Sequence, residues 1–230
     1  MSTDDRKEIL ELYKDLRVAD VRDGMDWNMM HHYGSLDADF RPLFRTRTIG
    51  IAKTARYVPY EGPVPHLTPE EYTKWSSWYY QNVCTEPWQA EIQEGDFVCL
   101  DQSGFRVGII GSNNSLNAYK NGCVGFLSNG GPRDTDEIVL QKIPFWSRFI
   151  SQGMDQGRIR YESHNQPVVL GGVTINDGDV IVADGDGVIV VPRAKAREVA
   201  KYAQQELDGD KVGRRKLYDA LGWEHDDTVK

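Results

Sequence analysis

An arginine and an aspartate stand side by side at positions 133 and 134, where the apolar run from Gly125 to Ser128 gives way to Asn-Gly-Gly-Pro and then to Arg133-Asp134-Thr-Asp-Glu137. Glycines at the end of a strand let a ligand come close to the backbone, and a planar guanidinium grips a carboxylate through two parallel hydrogen bonds. The carboxylate next in line can hold a hard divalent cation, directly or through water. An arbitrary Arg-Asp pair is more often a weak surface ion pair. What argues for chemistry here is a second polar loop, Gly111-Ser112-Asn113-Asn114, which leads through a helix-compatible stretch to the strand at Cys123. Strand, polar loop, helix and strand make a βαβ unit, and ligands of such units collect at the carboxyl ends of the strands. Both loops can therefore face one ligand, an organic anion with a metal ion beside it.

The elements that must position these loops follow from periodicity. Ile9, Leu12, Tyr13 and Leu16 recur at helical spacing behind the capping candidates Ser2 to Asp5, and a second short helix follows from Val18, ending at Gly24 or Gly34. Residues 48–58 alternate like a strand closed by Pro59, and the runs 96–101 and 106–110 read as two further short strands around a Ser-Gly turn. Residues 167–191 read as consecutive strands broken by Asn-Asp-Gly and Asp-Gly-Asp-Gly turns. Pro192 and Arg193 then open a long helix with Ala196, Val199, Ala200, Ala203 and Leu207 on one face. The segment from Tyr57 to Trp88 is crowded with aromatics and prolines, and Thr68-Pro-Glu-Glu marks a helix start within it. Packing against the core or a subunit neighbour is the ordinary use of such residues, and a lid or stacking wall over the site is the alternative.

With 230 residues the chain can bury a sizeable core, and no repeat or linker marks a boundary, so one domain over 1–230 is expected. It would carry an aromatic-rich insertion at about 57–90 and a C-terminal helical tail at about 193–230. The net charge of -8 argues against duplex nucleic acid, whose phosphates need a basic face. No apolar run approaches the roughly 20 residues of a membrane span. The first residues lack a signal-peptide core, so a cytoplasmic location is expected. Cys84, Cys99 and Cys123 show neither disulfide nor zinc spacing. His31, His32, His66, His164 and His225 include no helical metal pair, which leaves oxygen ligands for any metal. His31 and His32 are candidates for proton transfer because imidazole titrates near neutrality.

Three segments together resemble the RraA-like family, which includes class II 4-hydroxy-4-methyl-2-oxoglutarate/4-carboxy-4-hydroxy-2-oxoadipate aldolases and the RNase E inhibitor RraA. They are Val18-Ala-Asp-Val-Arg-Asp-Gly-Met, the Gly111 loop followed by Gly-Gly-Pro-Arg133-Asp134-Thr-Asp-Glu137, and Gly171 through Arg193. The resemblance implies an α/β fold of the swivelling phosphohistidine-domain type, assembled as a homotrimer or hexamer with sites between subunits. It implies a divalent-metal-dependent carbon-carbon lyase, an aldolase or 2-oxo-acid decarboxylase, acting on a small hydroxylated 2-oxo acid with Mg²⁺ or Mn²⁺. Arg133 would clamp the carboxylate and keto oxygens, Asp134 would anchor the metal, and Gly111 to Asn114 would hold the pyruvate unit. Glu137, and Glu206 from a neighbouring subunit's terminal helix, would join the metal shell. Asp20 and Asp23 suit helix capping or the surface better than ligand contact.

One departure from the aldolase pattern stands out. Those enzymes show Asp-x20-Arg-Asp-x2-Glu/Asp; Arg133, Asp134 and Glu137 fit, but the first position falls on neutral Ser112. Hydroxyl and amide groups can bond a polyol but bring no charge to a cation, so a changed substrate or a weaker metal site is expected. Two alternatives remain open: a non-catalytic ring that binds a protein partner such as RNase E, and a metal-assisted dehydratase or isomerase of sugar acids. This chain has no Gly-x-Gly-x-x-Gly loop to hold a methyl-donor nucleotide.

Overall fold

The computed structural model describes residues 2–230. Ten strands and six α-helices follow one another along it. The strands are β1 (Arg41–Pro42), β2 (Thr48–Pro59), β3 (Asp96–Asp101), β4 (Cys123–Ser128), β5 (Phe145–Ser147), β6 (Ile159–His164), β7 (Val168–Leu170), β8 (Val173–Ile175), β9 (Val180–Asp184) and β10 (Gly187–Val191). The helices are α1 (Thr3–Tyr13), α2 (Val18–Trp27), α3 (Pro69–Asn82), α4 (Ser112–Lys120), α5 (Thr135–Leu140) and α6 (Ala196–Leu221).

The long strand β2 is the spine, because its alternating and β-branched sequence offers two usable faces and three partners. It runs parallel to β3, antiparallel to β9 over its first half, and antiparallel to β6 over its second, with a bulge between Arg56 and Tyr57. The sheet order is β1-β5-β4-β3-β2-β9-β10, and β3, β4 and β5 are mutually parallel. β3 is buried at every residue, as expected for a strand covered on both faces. The small hairpin β7–β8 turns at Gly171 and Gly172, both at positive φ (51° and 77°), a conformation that glycine adopts without steric cost.

Apolar stripes decide the layers. Ile9, Tyr13, Val21, Met25, Val199, Ala203 and Leu207 bury α1, α2 and α6 against Ile51, Val180, Val182 and Ile189. Gly24 does not end its helix. It lies within α2, and a Cβ there would stand 2.5 Å from the Val199 carbonyl oxygen, so the glycine permits a close crossing of α2 over α6. Tyr57, Tyr79, Trp88, Val98, Phe126, Ile138 and Phe145 form a second cluster, which takes part of the aromatic segment into the core, while Trp78 and Tyr80 stay exposed.

Two further expectations change. Residues 106–110 are no strand: the amide of Gly108 donates to the Gly153 carbonyl (2.9 Å), and Ile110 makes a single bridge to Pro132, because loops rather than strands flank this stretch. At the C-terminus, Arg193–Lys195 form a 3₁₀ turn before α6, which stops at Leu221 with Gly222 left-handed (φ 68°). The last residues fold back, and the Val229 carbonyl accepts from Arg215. Among the described residues no helix is long and apolar enough to cross a membrane.

Candidate active site

The two polar loops meet because β3 and β4 are parallel neighbours and α4 connects them. The Arg133 amide donates to the Ile110 carbonyl (3.0 Å), which laces one loop to the other. Close packing requires glycine at specific places. A Cβ on Gly108 would lie 2.8 Å from Arg133 Cβ, and one on Gly111 would lie 2.5 Å from Asp134 Oδ2. Both glycines are thus seats for the Arg133-Asp134 side chains.

Asp134 precedes α5 in the left-handed conformation (φ 54°, ψ 42°), which Asp tolerates better than most residues, and its carboxylate makes no capping bond to that helix. Instead Oδ2 accepts from the Ser112 amide at 3.3 Å, while Oδ1 lies 3.4 Å from Arg133 Nε. Both contacts are long, so most of the carboxylate's lone-pair capacity is free. Gly111 starts α4 without a side-chain cap, and with the Ser112 amide turned to Asp134 the next amides, of Asn113 and Asn114, are available to an anion.

These groups line one cleft of about 450 Å³, a size that suits a small organic acid. Gly111, Asn113, Asn114, Arg133 and Asp134 contribute one wall, and Tyr80, Cys84 and Glu86 from the end of the aromatic segment contribute the other. Ser112 adds its amide through Asp134. Glu137 is exposed on α5, and Glu206 on α6 accepts from Trp27 Nε1 at 2.8 Å; neither is among the residues lining this cleft. Asp20 closes the N-terminus of α2 by accepting from the Arg17 amide (2.8 Å), and His31 lies 3.3 Å from Asp26 on the same helix.

Glu86 is the residue that sequence reasoning missed. Its Oε1 accepts from Asn114 Nδ2 (2.8 Å) and its Oε2 from Gln89 Nε2, so both oxygens are fixed. Burial pushes its carboxyl up to about 7, and the charge of Asp155 adds to the effect, while the bonds from Asn114 and Gln89 oppose it. Asp155 is itself buried and raised by desolvation, with Cys84, Tyr80 and the Arg133 charge acting the other way. The sequence held one clue: a carboxylate set in the apolar stretch Val83-Cys84-Thr85-Glu86-Pro87-Trp88.

Asp134 supplies one carboxylate with free lone pairs, and Asn113 lines the same cleft with its amide. Mg²⁺ commonly keeps most of its waters and takes only one or two carboxylates, so the residues fit a water-rich ion.

The RraA-like family model, described as Aldolase/RraA, matches residues 18–190. The chain belongs to this family. Among RraA-like relatives, a Halalkalibacterium halodurans protein named "Putative 4-hydroxy-4-methyl-2-oxoglutarate aldolase" is 28% identical over 130 residues, covering 56% of this chain and 61% of that protein. An Arabidopsis thaliana protein named "Putative 4-hydroxy-4-methyl-2-oxoglutarate aldolase 3" is 32% identical over 98 residues, covering 42% of this chain and 58% of its own length. The chain thus spans less than two thirds of the length of these curated relatives. Of solved structures, one described as belonging to novel cellulases from gut-associated microbes superposes with a TM-score of 0.73 at 27% identity, covering 89% of this chain and 86% of the other. The Streptomyces coelicolor RraAS2 structure, at TM-score 0.71 and 21% identity over 90% of this chain and 96% of its own, shares the α/β fold.

Proposed function

We propose that the protein is a divalent-metal-assisted carbon-carbon lyase, an aldolase or decarboxylase, acting on a small hydroxylated 2-oxo acid. The observation that carries this reading is the convergence of the Arg133 guanidinium and the Asp134 carboxylate in one cleft, beside the amides at the start of α4. The names of the aldolase relatives support the same reaction class.

In this scheme Arg133 grips the substrate carboxylate bidentately and leans on the 2-oxo oxygen, while the first-turn amides and Asn113 orient the acid. Cleaving the bond next to a 2-oxo acid leaves an enolate, and a fixed guanidinium stabilises that negative charge as it develops. Asp134 would hold Mg²⁺ or Mn²⁺, which would supply Lewis-acid stabilisation of the developing negative charge. Glu137 and Glu206 stand outside the cleft of the single chain, so Glu206 joins the metal shell only if chains associate, as a homotrimer or hexamer would allow. Ser112, Asn113 and Asn114 in place of a carboxylate favour a substrate rich in hydroxyls.

The test is a screen of 2-oxo and hydroxy acids with Mg²⁺ or Mn²⁺, read as pyruvate release. Arg133→Ala is expected to lose turnover by orders of magnitude with circular dichroism and melting unchanged. Turnover that survives in this variant rules the reading out.

A further inference from the structure

We propose that Glu86 is the proton-transfer group of the cleft, serving a 2-oxo acid clamped by Arg133. The inference deepens the lyase reading and rests on it. Three observations place the group. Glu86 lines the same cavity as Arg133 and Asp134 and reaches it from a different segment of the chain, so an acid clamped by Arg133 shares the cavity with this carboxyl. Its two oxygens are fixed by Asn114 and Gln89, and Asn114 comes from the helix that begins the anion wall. Its backbone is held too: the Tyr57 hydroxyl donates to the Thr85 carbonyl (2.9 Å) and accepts from Trp88 Nε1 (2.8 Å), and Pro87 disfavours helical geometry at Glu86.

The neighbours suit a group that cycles between acid and base. Asp155, Cys84, Tyr57 and Tyr80 face this region; burial raises all four, and the Arg133 charge opposes the rise at Asp155. A carboxyl poised at about 7 is matched to proton transfer near neutral pH. Asp155 is buried and lies outside the residues that line the cleft, and Asp134 would be taken up by the cation under the proposed function.

The step balances without a further reagent. As the carbon-carbon bond breaks, its electron pair passes to the carbon next to the keto group and forms the enolate. The hydroxyl on the departing carbon gives its proton to the Glu86 carboxylate and becomes a carbonyl. Glu86, now an acid, returns that proton to the enolate carbon, giving pyruvate and restoring the carboxylate.

Pyruvate itself is the probe, because the same carboxylate should remove a methyl proton reversibly. Wild-type protein with Mg²⁺ in deuterium oxide is expected to exchange the pyruvate methyl protons, followed by proton NMR, and to bind oxalate by calorimetry. Glu86→Gln should bind oxalate within about twofold of wild type and exchange about 10²–10⁴-fold more slowly. Infrared difference spectra should lose a carboxylic-acid band that titrates near 7 in the wild type. Glu86→Asp should recover part of the exchange. If Glu86→Gln fails to fold, Asn114→Ala serves instead: loss of its hydrogen bond should move the pH midpoint of exchange upward, and an unmoved midpoint overturns the proposal. Exchange by a folded Glu86→Gln at the wild-type rate, with Arg133→Ala inactive, refutes the role of Glu86 and leaves the lyase reading standing. A wild type that neither binds oxalate nor exchanges pyruvate ends both.

Discussion

The two walls of the cleft are built by different means. The anion wall is made of strand ends: Arg133 and Asp134 sit on glycine seats, laced by the amide of one loop to the carbonyl of the other. The acid wall, from Tyr80 to Glu86, hangs from the end of α3 and is held by side chains, with Trp88, Tyr57 and the Thr85 carbonyl in one chain of hydrogen bonds. A wall set by backbone packing tolerates almost no added volume. A wall set by side-chain bonds should instead yield gradually when those bonds are cut, which makes the two separable by substitution.

The largest effect is expected at the anion wall. Gly108→Ala places a methyl group 2.8 Å from Arg133 Cβ, 2.9 Å from Cγ and 3.0 Å from Cδ, so the guanidinium must move. The backbone at Gly108 needs no left-handed conformation, so the strain comes from the contact with Arg133, whose Cβ moves only with its own backbone. A displacement on the order of 1 Å can cost about 10²-fold in rate, read as pyruvate exchange. An unchanged rate would mean that the seat is not what fixes the guanidinium.

At the acid wall Tyr57→Phe removes one hydroxyl that both accepts from Trp88 and donates to the Thr85 carbonyl, leaving two polar groups without their partner. Each buried unsatisfied group costs about 1–3 kcal/mol, so denaturant unfolding should register a loss of that order. The variant should also bind oxalate nearly as well as wild type, because Arg133 is untouched. Equal losses of stability and of oxalate affinity would show that the two walls are one mechanical unit.

The same difference explains what could be read from the sequence. The anion wall was legible because spacing carries it: glycines at a strand end, two loops of one βαβ unit, and adjacent Arg and Asp are all local patterns. So were the spine strand, the β7 to β10 run and the apolar face of α6, whose periods are regular. Glu86 was not, since a carboxylate in an apolar stretch is a weak mark by itself; its environment comes from Asn114, 28 positions away, and from Asp155, which only the tertiary fold brings near. Gly24 misled for the same reason. A glycine that ends a helix and one that lets two helices touch look alike until α6 is in place.

The smallest effect separates the walls by pH. Glu86 titrates from an ordinary value of 4.5 in the unfolded chain up to about 7 in the folded one. Between those values the folded chain binds the proton that the unfolded chain has released, so its contribution to stability falls as pH rises and levels off above about 7. Glu91, five residues on, has the opposite sign: Lys53 foremost, then Asn165 and His164, hold it down to about 2 from 4.5. Its contribution is present above 4.5 and is lost as pH falls toward 2, so the two windows do not overlap. Urea unfolding of wild type and Glu86→Gln between about pH 5 and 8 isolates the first window. The wild type should lose stability across it relative to the variant, with Asp155 present in both. A difference that stays flat over that range would mean that Glu86 is already ionised in the folded chain at pH 5, and would remove the electrostatic basis for treating the second wall as acidic.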